Sequence, residues 1–283
     1  MIRRHAPSGM VCAVDHLASG AGVAVMRAGG TAADAAVATS AVLAVTTQHM
    51  CGMGGDLLAV VTPPGGQPQA LESAGVAGSG ADPDRLRSEG HTTMPFRDDI
   101  RAVTVPGCVD GWLALHERHG ARPLAEVLAP AIAYARDGFP VSPLLAASIP
   151  RVAHLPDAAD YLPNGSPAAA GTRVRRPGVA RALEAVAAGG RDGFYGGEFG
   201  AGLLEVGGGE FAPADLEQPL ARWLEPLSVE AWGHRLWTSP PVSQGYLTLA
   251  AAWIASGLDL PADPADPRWA HLLVEASRQA GWD

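Results

Sequence analysis

The chain has 283 residues, 47% of them apolar, enough to bury one large core or two smaller ones. Its 20 basic residues are all arginine and are outnumbered by 29 acidic ones, for a formal charge of −9. That balance excludes a polyanionic partner such as a nucleic acid, because neutralising phosphates takes clustered basic side chains.

Met1–Gly9 carries two arginines but lacks the apolar run of a secretory signal, so a cytoplasmic protein is expected. Gly9–Val14 reads as a short apolar strand. From His16 the period changes: Leu17, Ala21, Val25 and Ala28 recur at helical spacing up to the stop at Gly29-Gly30. Thr31 is the expected N-cap of a second helix, with Asp34 at its third position. That helix, Ala32 to about Leu43, is almost wholly Ala, Val and Thr, so it belongs in the interior and is too short for a membrane span. Cys51-Gly52-Met53-Gly54-Gly55-Asp56 is a glycine turn. It is preceded by a helix and followed by a strand, the reverse of a phosphate-cradling loop, so a nucleotide site is not expected.

Leu57–Val61 reads as a buried strand and Gln69–Glu72 as its hairpin partner across Pro63–Gly66. Ala74–Ile100 is a surface excursion with a short helical patch at Pro83–Arg87. Helices are expected over Val109–His119, Leu124–Arg136, Arg181–Ala188 and Trp269–Gly281, with a strand–turn–strand over Leu227–Trp237. Helices ending at glycines suggest a helical layer over a sheet.

Few residues present themselves as chemical groups. Cys12, Cys51 and Cys108 lack metal-ligand spacing and are expected to be small buried thiols. His116 and His119 stand one turn apart with no HExxH frame, and Glu117 and Arg118 between them suggest a solvated face. His16 and His49 flank the apolar helices and are read as structural. Ser243, in PPVSQG, lacks the GxSxG frame of a nucleophile elbow. No metal is expected.

Two separated stretches, Gly9–Asp56 and Ala102–Ser142, closely resemble the large-subunit half of the gamma-glutamyltransferase family of N-terminal-nucleophile hydrolases. The text from Leu162 to Gly197 and the helix entry Pro240–Gly245 resemble it too. Met94–Gly120 (MPFRDDIRAVTVPGCVDGWLALHERHG) is the most specific part and is similar to the intracellular bacterial branch. Asp56 in the turn GMGGD points the same way, since the exported enzymes usually carry extra glycines there.

The resemblance implies an α/β (α+β) fold: the large-subunit portion of an αββα sandwich, here one domain over 1–283 that is incomplete without a small subunit. It implies a hydrolase or acyltransferase acting on an amide-linked acyl group through an acyl-enzyme on a threonine. That threonine would begin the small subunit, beyond Asp283, so no catalytic residue is expected in this chain, and Thr46, Thr47, Thr92 and Thr93 are internal. The implied partners are the small subunit and a small-molecule or peptide-like substrate, with no cofactor, nucleic acid or membrane.

In glutamyl-specific relatives an arginine after the strand that follows the glycine turn pairs with the substrate α-carboxylate. Matched onto Glu72–Gly78, its place is taken by Ala74. The expected substrate-binding residues are therefore Ser73, Ala74 and Gly75, with Arg97 or Arg101 on the next loop as possible replacements for the missing cation. Glu72 is expected to be an exposed strand-end acid, or else to meet a substrate amine. Two other functions remain open on the resemblance: a subunit of a carbon–carbon bond hydrolase in antibiotic biosynthesis, and a truncated, non-catalytic binding module.

Overall fold

The computed structural model describes residues 5–282. Met1–Arg4 and Asp283 lie outside the described residues, and with them part of the N-terminal reading of Met1–Gly9. In chain order the elements are α1 (His16–Arg27), α2 (Ala32–Thr46), β1 (Leu57–Val61), β2 (Gln69–Ser73), α3 (Pro83–Ser88), α4 (Cys108–His119) and α5 (Leu124–Asp137). They continue with β3 (Phe139–Pro140), α6 (Pro143–Ser148), β4 (Arg173–Val174), α7 (Pro177–Tyr195), α8 (Glu198–Gly207) and α9 (Pro213–Glu217). The last are β5 (Arg222–Leu224), β6 (Leu227–Ala231), β7 (His234–Thr238), α10 (Gly245–Ser256) and α11 (Pro267–Ala280). The chain divides into two compact units, Met1–Asp56 with Gly75–Pro219, and Leu57–Ala74 with Leu220–Asp283.

The first unit is mostly helical. α2 packs against α1, α4 and α5, and α7 against α5 and α8. The sequence of α2 explains its central place: Ala, Val and Thr on every side let neighbouring backbones approach, and Val37, Ala38, Ala41, Val42 and Val45 are all but fully buried. Fully burying a valine stabilises by roughly 1.5–3 kcal/mol, so replacing one with a polar residue would undo much of the packing. The capping box at its start is present as expected, with Thr31 Oγ1 accepting from Asp34 N at 3.1 Å and Asp34 Oδ2 accepting from Thr31 N at 2.8 Å. Trp112 of α4, Phe139 and Phe194 are the largest side chains sealed in the interior. Trp112 Nε1 donates to Ser40 Oγ at 2.9 Å, so its buried polar atom is satisfied.

The second unit holds a three-stranded antiparallel sheet of order β1-β2-β5, and an antiparallel hairpin of β6 and β7 against which α10 packs, with α11 beside α10. Leu58 pairs with Glu72 and Glu72 with Arg222.

The mixed helix-and-strand fold is the one expected, but several local readings are corrected. Gly9–Val14 is not a strand: among the described residues no segment pairs with it, and Met10, Cys12 and Val14 face solvent. β1 has the expected bounds but is not buried, since as an edge strand it leaves Leu58 and Val60 each 43% exposed. α7 begins at Pro177, and the glycine pair expected to end it instead makes a kink at Gly190 (φ 56°), after which the helical path resumes to Tyr195. Two of the cysteines expected to be buried, Cys12 and Cys51, are exposed; Cys108 alone is buried.

Candidate functional site at the glycine turn

The end of α2 delivers the chain to the glycine turn, and the first unit gathers two more segments there. Gly55 O accepts from Gly107 N (3.0 Å) and Cys108 N (2.8 Å), the first amides of α4. These are helix-terminal donors that no intrahelical carbonyl can reach and that no side chain caps. The glycine turn is therefore the N-terminal cap of α4. Asp56 Oδ1 accepts from Gly75 N at 2.7 Å, and Val105 N donates to Val76 O at 2.8 Å. A side chain at Gly75 would collide with Thr104 Oγ1 and the Val105 carbonyl, which is why this position holds glycine. Behind the turn lies a small cavity of about 190 Å³, bounded by Ser40, Met50, Cys51, Asp56, Cys108 and Trp112 among others.

None of the nucleophile-type side chains singled out in the sequence is activated. Burial pushes the Cys108 thiol up to about 12, and the Cys51 and Asp56 charges add to the shift, so Cys108 is protonated at neutral pH. Cys51 is exposed at the surface, but the partial desolvation of its thiol raises it as well. Thr46 and Thr47 are buried, their hydroxyls 3.2 Å apart, inside or next to a helix and without a free α-amine. Thr92 and Thr93 are exposed in an irregular loop. Ser243 Oγ accepts from Gly245 N at 3.0 Å at the start of α10, a structural role in line with the sequence reading. His116 Nε2 lies 2.7 Å from Arg122 O and so fixes the α4–α5 turn. Among the described residues no group of three or more His, Cys, Asp or Glu side chains could hold a metal ion.

The expected substrate-binding residues fall in different places. Ser73 ends β2 and is fully buried; Ala74, directly after it, is partly exposed. Gly75 is tied to Asp56 as described. Arg101 is clamped: its guanidinium meets Asp99 at 2.7–3.1 Å, Glu89 through a charged hydrogen bond, and His91 Nε2 at 3.3 Å. Asp99 is held down at about 2 by its hydrogen bonds to Arg101. Arg97 is exposed, with its guanidinium 5.0 Å from the centre of the Phe96 ring.

Glu72 corrects the sequence reading. It is 1% exposed on the middle strand of its sheet, and Arg222 of β5 hydrogen-bonds to Oε1 while Oε2 has no hydrogen-bond partner among the described residues. The signal that was missed is the three-residue strand β5, too short to show a period, which brings Arg222 opposite Glu72 from 150 residues away.

The profile of the gamma-glutamyltranspeptidase family matches residues 18–283. The chain belongs to the gamma-glutamyltranspeptidase family. It is 35% identical over 285 residues to the oxamate amidohydrolase proenzyme of Klebsiella pneumoniae, covering 96% of this chain and 53% of that protein. It is 33% identical over 284 residues to the glutathione hydrolase-like YwrD proenzyme of Bacillus subtilis, covering 97% and 54%. The crystal structure of Helicobacter pylori gamma-glutamyltranspeptidase matches with a TM-score of 0.91 at 25% identity, over 99% of this chain and 84% of that one. The chain spans about half the length of the curated relatives it matches, and within the gamma-glutamyltranspeptidase family it corresponds to the large-subunit portion.

Proposed function

We propose that the chain is the large-subunit portion of an amide hydrolase or acyltransferase whose attacking group is the N-terminal threonine of a small subunit, and whose acyl pocket does not require a γ-glutamyl α-carboxylate. The specificity rests on Ala74, which follows β2 at the place where the resemblance to glutamyl-specific relatives implies an arginine. A methyl group supplies neither the charge nor the forked donors that a carboxylate needs. Arg101 is a poor replacement because Asp99 and Glu89 already occupy its guanidinium.

Three further observations support the reading. The Thr46 and Thr47 hydroxyls are buried in or beside a helix and the Cys108 thiol is kept protonated by burial, in keeping with an attacking group elsewhere. The second unit exposes Leu58 and Val60 on an edge strand, and Trp253 and Val274 on its helices, apolar surface of the kind a companion subunit covers. The proenzyme relatives are about twice as long, and one is named for an amide substrate other than glutathione.

The test compares kcat/KM of the full-length protein for a γ-glutamyl anilide with that for the same anilide lacking the α-carboxylate. A ratio within about tenfold is expected, since that corresponds to about 1.4 kcal/mol. A preference of roughly a thousandfold or more for the intact γ-glutamyl compound, the size of a lost buried charge pair, would overturn the specificity.

A further inference from the structure

In the first unit a cavity of about 650 Å³ lies between the segment after α2, helix α6 with the turns that follow it, and the start of α7. Its walls are apolar: Leu145, Ile149, Val152 and Leu155, with Val206 of α8 on one side. Its polar groups come chiefly from Gln48, His49, Tyr161 and Arg176. Both amide atoms of Gln48, both ring nitrogens of His49, the Tyr161 hydroxyl and Arg176 Nε are buried, and none hydrogen-bonds to another described residue. Arg176 Nε is 3.8 Å from Asp160 Oδ2, beyond hydrogen-bonding distance, and its guanidinium lies over the Tyr161 ring at 4.9 Å. Folded proteins leave few buried polar atoms unpaired, because each is costly. Six of them belong to residues that line one apolar cavity, where small side-chain rotations would bring them onto a bound polar group.

Their chemistry identifies that group. Burial pushes the Tyr161 phenol up to about 12, so it remains an O–H donor at neutral pH. Burial, with the nearby Arg151 cation, pulls His49 down and keeps it neutral with one N–H to give. Gln48 adds an amide donor, and Arg176 brings a permanent positive charge. Asp157 stands at the exposed mouth, where water screens its charge. A carboxylate only accepts hydrogen bonds, and it answers the four donors among these atoms, Gln48 Nε2, one His49 N–H, the Tyr161 hydroxyl and Arg176 Nε, leaving Gln48 Oε1 and the other His49 nitrogen to water. An ammonium has only N–H groups to offer, and the N–H donors among these four cannot accept them.

We propose that this cavity binds a small apolar carboxylic acid in its ionised form, its hydrocarbon part against Leu145, Ile149, Val152 and Leu155 and its carboxylate among Gln48, His49, Tyr161 and Arg176. The site is built from one unit alone, and nothing in it depends on which reaction the protein performs.

Isothermal titration of the full-length protein tests this, with octanoate and phenylacetate as probes and acetate, octanamide and octylamine as controls. At least one probe acid is expected to saturate a single site per chain. Octanamide should bind about tenfold or more weakly than octanoate, and acetate and octylamine should give no saturable heat. Arg176→Gln should weaken the acid about tenfold or more. Val152 is 37% exposed, so Val152→Asp should leave the fold intact while placing a negative charge on the apolar wall, and it should abolish binding. Saturable binding of neither probe acid, equal affinity for octanoate and octanamide, or an acid affinity unchanged by Val152→Asp would each overturn the proposal. Should Arg176→Gln fail to fold, Val152→Asp decides.

Discussion

Asp34 joins the start of α2 to the turn between α4 and α5, and Asp34→Ala is the sharpest test of the fold at that junction. Its carboxylate is fully buried. Oδ2 accepts from the backbone amides of Thr31 (2.8 Å), Ala121 (2.9 Å) and Arg122 (3.3 Å), and so ties the start of α2 to the turn between α4 and α5. Thr31 completes the junction. Its hydroxyl has one proton to give, and His119 O at 2.8 Å is a closer acceptor than Asp34 Oδ2 at 3.2 Å. A hydrogen bond to a charged group contributes about 1.5–3 kcal/mol, and the three amides act as one unit, so their contributions do not simply add. Asp34→Ala should therefore destabilise by about 3–5 kcal/mol, and Thr31→Ala by about 1 kcal/mol as an ordinary lost cap. Urea unfolding followed by tryptophan fluorescence measures the first quantity. Amide hydrogen exchange at Ala121 and Arg122 localises it, because those two protons should lose protection in Asp34→Ala and keep most of it in Thr31→Ala. A loss below about 1 kcal/mol, with Ala121 and Arg122 as protected as before, would refute the reasoning.

Arg222→Ala should destabilise the second unit by about 2–3 kcal/mol in the same urea assay, because it strands a buried carboxylate; the figure sits below the range for fully buried pairs because Arg222 itself is 66% exposed. Adding Glu72→Gln to Arg222→Ala should recover part of that loss. Iodoacetamide at pH 8, followed by peptide mapping, should modify exposed Cys12 readily and leave Cys108 untouched until the protein is unfolded in urea. Because hydrogen bonds to Arg101 lower the Asp99 carboxyl, that loop's ion pair is intact above the ordinary carboxylate range and is lost only as pH falls through about 2. A carbon-detected NMR titration should place the Asp99 midpoint near there, and Arg101→Met should return it to the usual range.

What could be read from the sequence was local. Thr31 and Asp34 announce the start of α2 because a capping box needs only residues three apart, and β1 and the β6–β7 hairpin follow from apolar or β-rich runs between turn residues. What could not be read depends on partners far along the chain. Gly9–Val14 has the composition of a strand, but a strand needs a neighbour to pair with. Glu72 looked like an exposed strand end because the Arg222 that meets it lies on a strand of only three residues. The glycine turn was recognisable as a bend, whereas its task of capping α4 through the Gly55 carbonyl emerges only when residues 55 and 107 are brought together. Gln48 and His49 carry no pattern of their own, and only the packing of the 145–176 segment gathers their unpaired atoms into a cavity.

The most direct measurement is covalent trapping. The full-length protein is reacted with a slowly deacylating acyl ester, quenched in acid and mapped by peptide mass spectrometry. The expected result is a single acyl adduct on a threonine that forms the N-terminus of a small subunit, with residues 5–282 unmodified. An adduct on Thr46, Thr47, Cys51, Cys108 or Ser243 would contradict the assignment of this chain as the portion that shapes the site while another supplies the nucleophile.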